Sequence, residues 1–229
     1  MKIFALPLTL ENAAIIFDMD GTLYTHEEYL QSQIDLPIRR LAHVQGKKYE
    51  QMKTEIDQYR KNWADSRNGQ LISLGNTFVA FGISIEENIR WREDLLHPEN
   101  FLAKDKQLRL ALQVLASRFS LVVATNNPVS VAVRTLSVLG VDDILEKIVG
   151  LDTCGVSKPD KSIFLKAAEL CNTVPRQCIS VGDRFDIDIA LPLELGMGGI
   201  LVDGVVDVYK LPEKLGSSSD ANYFSSKFT

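Results

Sequence analysis

The sequence predicts an α/β fold in which a doubly wound, mostly parallel sheet carries an inserted bundle of helices. Three observations predict this class. A short apolar run near the N-terminus ends at two carboxylates and a glycine, the long segment after it has helical periodicity, and strand and helix patterns then alternate to about residue 202. Alternation with short connections favours right-handed crossovers and a parallel sheet that helices cover on both faces.

The composition is that of a globular protein and argues against several function classes. The 229 residues are 45% hydrophobic and 24% charged, which suffices for one large domain or two modest ones. A formal net charge of −5 argues against binding of nucleic acid polymers or anionic membranes through a broad basic surface. No window has the apolar length of a membrane span, and we interpret the first ten residues as a mature N-terminus.

The three cysteines predict no metal centre. Cys154, Cys171 and Cys178 are scattered, with neither metal-ligand spacing nor the density of a disulfide scaffold. A reducing compartment is the simplest setting for such cysteines, so we expect a cytoplasmic protein.

The first strand is predicted from Ala13 to Phe17, because this apolar run is followed by residues that form strands poorly. Side chains alternate along an extended segment, so Asp18 and Asp20 project to the same side, and Gly21 allows a sharp turn after them. Two acids that face one small volume suit either proton transfer or a hard metal ion with oxygen ligands.

A helical insert follows this strand. Charged and aromatic residues recur at helical spacing, and no β-rich run interrupts them. The predicted helices span residues 27–44, 47–65, 71–81 and 84–96. The insert begins at the carboxyl end of the first strand, the end at which such sheets bind ligands. We therefore expect a core of residues 1–24 and 105–229 and a helical cap of residues 25–104 that acts as a lid.

The remainder of the core is predicted as an alternation of helices and strands. Helices are expected at residues 105–118, 129–139, 161–171 and 187–195, and strands at 121–124, 148–150, 178–181 and 199–202. Beyond residue 203 the patterns weaken, and a polar tail ends the chain. We assign this tail no function.

Polar side chains follow the carboxyl ends of the later strands. Thr125 and Asn126 follow the second strand, Lys158 lies shortly after the third, and Asp183 follows the fourth. In a parallel sheet these residues converge on the acid pair of the first strand. Each one alone is an ordinary capping or loop residue, and their convergence is the functional signal.

The four segments together resemble the four motifs of the haloacid dehalogenase-like (HAD) hydrolase superfamily, in order. The motifs are Asp18-Met19-Asp20-Gly21-Thr22, Thr125, Lys158 and Gly182-Asp183-Arg184-Phe185-Asp186-Ile187-Asp188. The resemblance covers residues 13–202. It implies a Rossmann-like core with strand order 5-4-1-2-3 and a helical cap of the superfamily's first class.

The resemblance implies Mg²⁺-dependent hydrolysis of a small phosphorylated metabolite. Asp18 is then the nucleophile that forms an aspartyl-phosphate, and Asp20 protonates the leaving oxygen and later activates water. Thr125 would hold a phosphate oxygen, and Lys158 would supply positive charge, because attack of an anion on a phosphate requires neutralisation.

The resemblance also implies the ligands of the metal. Mg²⁺ would take a carboxylate oxygen of Asp18, the backbone carbonyl of Asp20 and a carboxylate oxygen of Asp183. Asp188 would not bind the metal itself but would contact the groups that do. Asp186 is an additional acid that we interpret as a helix-start residue.

The organic part of the substrate is expected to contact the cap. Arg67 and Asn68 are our candidates, because loops that face a core site often carry specificity residues. The backbone amide of Asn126 is the corresponding candidate in the core. We expect a monomer or a weak dimer.

Two alternatives remain at this stage. Sugar-phosphate mutases of the same superfamily share the acid pair, although Thr22 mildly favours hydrolysis. A non-catalytic phosphate-binding or regulatory module would keep the site for ligand capture alone. Dehalogenation is disfavoured, since dehalogenases of the superfamily lack the second acid that Asp20 provides.

Overall fold

One six-stranded sheet organises residues 1–216, which are the part of the chain that the computed structural model describes. Its strands are β1 (Lys2–Ala5), β2 (Ala14–Phe17), β3 (Ser120–Ala124), β4 (Ile148–Val149), β5 (Cys178–Gly182) and β6 (Gly198–Leu201). They lie in the order β1-β6-β5-β2-β3-β4, and only β1 runs antiparallel to its neighbour. The predicted α/β class is confirmed. The predicted polar tail falls on residues 217–229, outside the described part.

Strand β2 is central and positions the acid pair. Its four residues are buried, and Phe17 lies level with Val123 of β3 on one side and Val181 of β5 on the other. The backbone N–H of Asp18 donates to the carbonyl of Val181 at 2.8 Å. Asp18 therefore leaves the sheet between two parallel neighbours, where their carboxyl ends meet.

Helices cover both faces of the sheet. They are α5 (Lys106–Ala116), α6 (Val129–Leu139), α7 (Leu151–Cys154), α8 (Lys161–Leu170), α9 (Ala190–Glu194), α10 (Val205–Val208) and α11 (Leu211–Leu215). Side chains of β2 alternate between two hydrophobic clusters: Ile15 and Phe17 pack with α5, α6, α10 and α11, whereas Ala14 and Ile16 pack with α8. A strand buried on both faces reads as a continuous apolar run, which is why the sequence predicts it well.

The helical insert consists of α1 (Glu27–Val44), α2 (Tyr49–Asp65), α3 (Leu74–Ala80) and α4 (Ile85–Leu95). These helices share a hydrophobic cluster of their own, formed by Ile38, Met52, Phe78, Trp91 and neighbouring residues. Helix α3 begins three residues later than the pattern suggests, because the Ser73 hydroxyl accepts the N–H of Asn76 and caps the helix. The division into core and cap at residues 24 and 104 stays a prediction.

The structure contains elements that local patterns do not predict. Strand β1 is mostly exposed and pairs with β6, about 200 positions away, so no local periodicity reports it. Residues 185–189 form one π-helical turn before α9. No helix of residues 1–216 has the length and apolar character needed to cross a bilayer.

Candidate active site

Asp18 is buried at the end of β2 and faces a lysine. Its side chain is 2% exposed, and its Oδ1 accepts a short hydrogen bond from Nζ of Lys158. The Thr22 hydroxyl donates to Oδ2 at 3.3 Å. The ion pair removes much of the negative charge that would repel an anionic substrate.

Lys158 is 1% exposed and bridges two carboxylates. Its Nζ also donates to Oδ1 of Asp188 at 2.7 Å. Burial lowers the pKa of the Lys158 ammonium, but the charges of Asp18 and Asp188 outweigh this effect, so that the pKa is raised overall. The ammonium is therefore charged at neutral pH.

The carboxylates of Asp18, Asp183 and Asp188 form an acidic cluster in which one oxygen of each lies within 4.8 Å of the others. Oδ1 of Asp183 is buried and has no hydrogen-bond partner within residues 1–216. Burial, followed by the charge of Asp18, raises the pKa of Asp183 to about 7. Lys158 and Arg184 neutralise part of the charge of these three carboxylates, and the remaining hard oxygen donors fit Mg²⁺ or a similar divalent cation.

Gly21 leaves room for the carboxylate of Asp183 in this cluster. Its φ is +83°, and a Cβ built on it would lie 2.5 Å from Oδ2 of Asp183. Any larger residue would therefore be strained and would push the Asp183 carboxylate away. On the opposite side of the cluster, Oδ2 of Asp188 accepts the backbone N–H of Arg184 at 3.2 Å.

Asp20 has a different environment, because neutral donors surround its carboxylate. Oδ1 accepts the Tyr24 hydroxyl and Nε2 of Gln33, the latter at 2.9 Å. Oδ2 accepts Nδ2 of Asn127 at 2.9 Å and the Thr125 hydroxyl at 3.4 Å. Burial, then the charge of Asp18, raises the pKa of Asp20, and the bonds from Tyr24 and Gln33 oppose the rise. A raised pKa suits a proton donor.

Asn127 joins this network to the insert. Its Nδ2 donates to Oε1 of Gln33 in α1 at 2.8 Å, and its Oδ1 accepts Nη1 of Arg92 in α4 at 2.8 Å. Gln33 also donates to the Tyr24 hydroxyl at 2.6 Å. Two helices of the insert thus contact the groups that hold Asp20.

The predicted substrate-binding residues occupy different places. Asn126 lines the site, and its Oδ1 accepts the backbone N–H of Lys158 at 2.6 Å, which fixes the lysine loop. Arg67 is exposed and stacks its guanidinium on Trp63, 3.6 Å from the ring centre. Asn68 is exposed with a φ of +53°. Neither Arg67 nor Asn68 lines the cavity between the sheet edge and the insert, and their role stays a prediction.

A cavity of about 240 Å³ lies between the sheet edge and the insert. The core contributes Asp20, Asn126, Asn127, Ser157, Asp183 and Arg184, and the insert contributes Leu30, Gln33, Ile34, Ser73, Leu74, Gly75 and Arg92. The hydroxyls of Ser73 and Ser157 lie 2.7 Å apart across this boundary. Of the predicted catalytic and metal-binding residues, Asp20 and Asp183 line the cavity, and the remaining ones are buried in contact with them or with each other, namely Asp18, Thr125, Lys158 and Asp188.

Sequence reasoning missed the residues that hold Asp20. Asn127 directly follows Thr125 and Asn126, so its position near the site was predictable, but the role of its side chain was not. Tyr24 lies four residues after Asp20, just beyond the first motif. Gln33 had no sequence signal, because a glutamine on an amphipathic helix usually faces solvent.

Comparison with known proteins agrees with this geometry. Residues 13–196 match the haloacid dehalogenase-like hydrolase family. The chain belongs to this family. Similar proteins include a phosphoglycolate phosphatase of Psychrobacter arcticus, 24% identical over 190 residues and 77% of each chain, and the pyrophosphatase PpaX of Listeria welshimeri, 28% identical over 148 residues, 62% of this chain and 66% of its own.

Among solved structures, a HAD phosphatase from Thermococcus onnurineus superposes with a TM-score of 0.62 at 19% identity, over 89% of this chain and 98% of its own. This likeness supports the fold. The family match confirms the resemblance drawn from the four motifs, and with the named relatives it confirms the expected enzyme class, a HAD-like phosphatase.

Proposed function

We propose that this HAD-like hydrolase removes phosphate from a small phosphomonoester with the help of Mg²⁺. The single observation that carries the proposal is the contrast between two carboxylates that stand two residues apart. Asp18 faces the ammonium of Lys158, and Asp20 is held by neutral donors at the cavity. Acid pairs whose environments differ in this way divide the roles of nucleophile and proton donor.

In the first step, an oxygen of Asp18 attacks phosphorus and the bond to the ester oxygen breaks. Asp20 gives its proton to that oxygen, which leaves as an alcohol. Lys158 holds Asp18 in place and offsets the negative charge that gathers there. The product of this step is an aspartyl-phosphate on Asp18.

In the second step, Asp20, now ionised, takes a proton from water as the water attacks the phosphorus. Phosphate leaves and Asp18 is regenerated. The Thr125 hydroxyl is our candidate for holding a phosphate oxygen, and it lies 3.4 Å from Oδ2 of Asp20. Asp18, Asp183 and the Asp20 carbonyl would hold Mg²⁺, which supplies Lewis-acid stabilisation of the phosphoryl oxygens, while Asp188 positions Lys158.

The setting of the reaction also stays a proposal. The relative from Psychrobacter arcticus is named for phosphoglycolate, a small ester, and this supports a small phosphorylated substrate. Cytoplasmic location is supported by the free state of Cys154, Cys171 and Cys178. A monomer or weak dimer stays our expectation.

The test compares wild type and Asp18→Asn on 4-nitrophenyl phosphate and on a panel of phosphate esters, with and without Mg²⁺. We expect Mg²⁺-dependent turnover by wild type and none by Asp18→Asn, with a circular dichroism spectrum and a cooperative unfolding transition that show a folded variant. Full activity of Asp18→Asn would overturn the proposal. Binding of phosphate or a metal fluoride without turnover would instead favour a binding module, and transfer of phosphate between sugar hydroxyls would favour a mutase.

A further inference from the structure

Arg92 is a buried cation that lacks an anionic partner. Its side chain is 7% exposed, and within residues 1–216 no carboxylate lies within the 4.0 Å of an ion pair. One hydrogen bond engages Nη1, which donates to Asn127, and Nε has no partner in the same part of the chain. An unpaired buried charge is costly, so a site of this kind is completed by an anionic ligand.

Arg92 lines a cavity that it shares with Asp20, one member of the acid pair. Arg92 lines this cavity from α4, and Asp20 and Asp183 line it from the core. The hydroxyls of Ser73 and Ser157 stand in the same wall. A ligand whose phosphate lies at Asp18 would therefore direct its remaining part toward Arg92.

Two properties of the site restrict the chemistry of this remaining part of the ligand. A volume of about 240 Å³ lies below the usual range of ligand pockets, which favours a small ligand. With Nη1 engaged by Asn127 and Nε buried, Nη2 is the remaining donor of the guanidinium, and a charged donor of this kind matches a carboxylate. A second phosphoryl group carries more negative charge than a carboxylate, and Asp20 and Asp183 would repel it more strongly. We therefore favour a carboxylate in this part of the ligand.

We propose that the substrate is the phosphate ester of a small hydroxy acid and that Arg92 binds its carboxylate. This proposal rests on the proposed phosphatase function and deepens it. Arg92 is then a specificity-determining residue supplied by the insert.

The experiment compares kcat/KM for phosphoglycolate with kcat/KM for its isosteric amide, carbamoylmethyl phosphate. The two esters differ in the charge of one group. We expect wild type to prefer the acid by roughly 10- to 100-fold, the effect of a charge-assisted hydrogen-bond pair. In Arg92→Met the ratio should fall to about 1, and Arg92→Lys should keep part of it.

Two further variants separate binding from positioning. Arg90→Met removes an exposed arginine from the same helix and should leave the ratio unchanged. Asn127→Ala breaks the contact between Arg92 and the network of Asp20, so it should slow both esters and keep the ratio. If Arg92→Met does not fold, wild type still provides a test, since glycolate should inhibit hydrolysis of 4-nitrophenyl phosphate more strongly than glycolamide.

The outcomes distinguish the two proposals. Hydrolysis of 4-nitrophenyl phosphate with equal kcat/KM for acid and amide would overturn the role of Arg92 and leave the phosphatase intact. Equal losses of kcat/KM for both esters in Arg92→Met would also overturn the role of Arg92. A preference of wild type for pyrophosphate over phosphoglycolate would overturn it as well. Absence of any Mg²⁺-dependent turnover would overturn the proposed function itself.

Discussion

Nδ2 of Asn127 lies 2.9 Å from Oδ2 of Asp20 and donates a hydrogen bond to it. The same side chain contacts Gln33 and Arg92, which belong to two different helices of the insert. The orientation of the proposed acid/base group therefore depends on where the insert lies. Movement of the insert away from the core would remove Gln33 as a donor to Asp20 and as a partner of Asn127.

Gln33→Leu tests this dependence. The change removes one donor to Asp20 and the acceptor of Asn127, so the carboxyl group loses its fixed orientation. We expect kcat to fall on the order of 10- to 100-fold, as for small misplacements of a catalytic group. The loss should be greater for an alkyl phosphate than for 4-nitrophenyl phosphate, whose leaving group needs little protonation.

Gln31→Leu is the matched control. Gln31 is exposed on the same helix and bonds Asp35 rather than the site. Its activity should equal that of wild type. Equal losses on both esters in Gln33→Leu would contradict a role in positioning the proton donor.

Lys158→Met should lower stability as well as activity. The change leaves Asp18 and Asp188 buried without their cation, and breaking a buried ion pair costs about 3–5 kcal/mol. Urea unfolding with a chelator present measures the loss. The double variant Lys158→Met with Asp188→Asn removes one of the stranded charges and should regain part of the stability but no activity. Wild-type stability of Lys158→Met would contradict the ion-pair account.

Gly21→Ala should weaken metal binding. The φ of +83° costs a residue with a Cβ roughly 1–2 kcal/mol, and that Cβ would displace Asp183. Gly82→Ala provides the comparison, since its φ is +86° and no atom lies within 4 Å of the added Cβ. Both variants should be less stable than wild type. A raised Mg²⁺ requirement is expected in Gly21→Ala alone, and a parallel rise in Gly82→Ala would sink the explanation.

Mg²⁺ should raise the melting temperature of the wild-type protein. A cation held by Asp18 and Asp183 relieves the repulsion within the acidic cluster, and a ligand at 100 times its Kd stabilises by about 2.7 kcal/mol. The corresponding shift is roughly 5–10 °C for a chain of this size. Asp183→Asn should abolish the shift, and Asp186→Asn, outside the cluster, should keep it. An undiminished shift in Asp183→Asn would place the cation elsewhere.

The parts of the fold and site that were predictable rest on local patterns. Strand β2 is a buried apolar run, and the bounds of α1 and α6 coincide with the predicted ones, since hydrophobic periodicity and Gly140 mark them. The convergence of Asp18, Lys158 and Asp183 follows from parallel strands whose carboxyl ends meet.

The remainder depends on tertiary contacts that no local pattern reports. Gln33 and Arg92 read as ordinary polar residues of amphipathic helices, and their burial against Asn127 appears only when the insert folds over the sheet edge. Arg67 was favoured for its loop position, but it stacks on Trp63 instead of lining the cavity. A pattern identifies the loop and not the direction of the side chain.

The central position of β2 has a kinetic consequence. Its backbone amides are enclosed by β3 and β5 on both sides, so Ile15, Ile16 and Phe17 should exchange their amide hydrogens with solvent only when the whole domain unfolds. The insert packs on the core through Tyr29 and Leu30 and through polar bonds such as that between Arg92 and Asn127, but its four helices also have a hydrophobic cluster of their own. We therefore expect amide exchange to be slow in the core that carries Asp18 and faster in the insert.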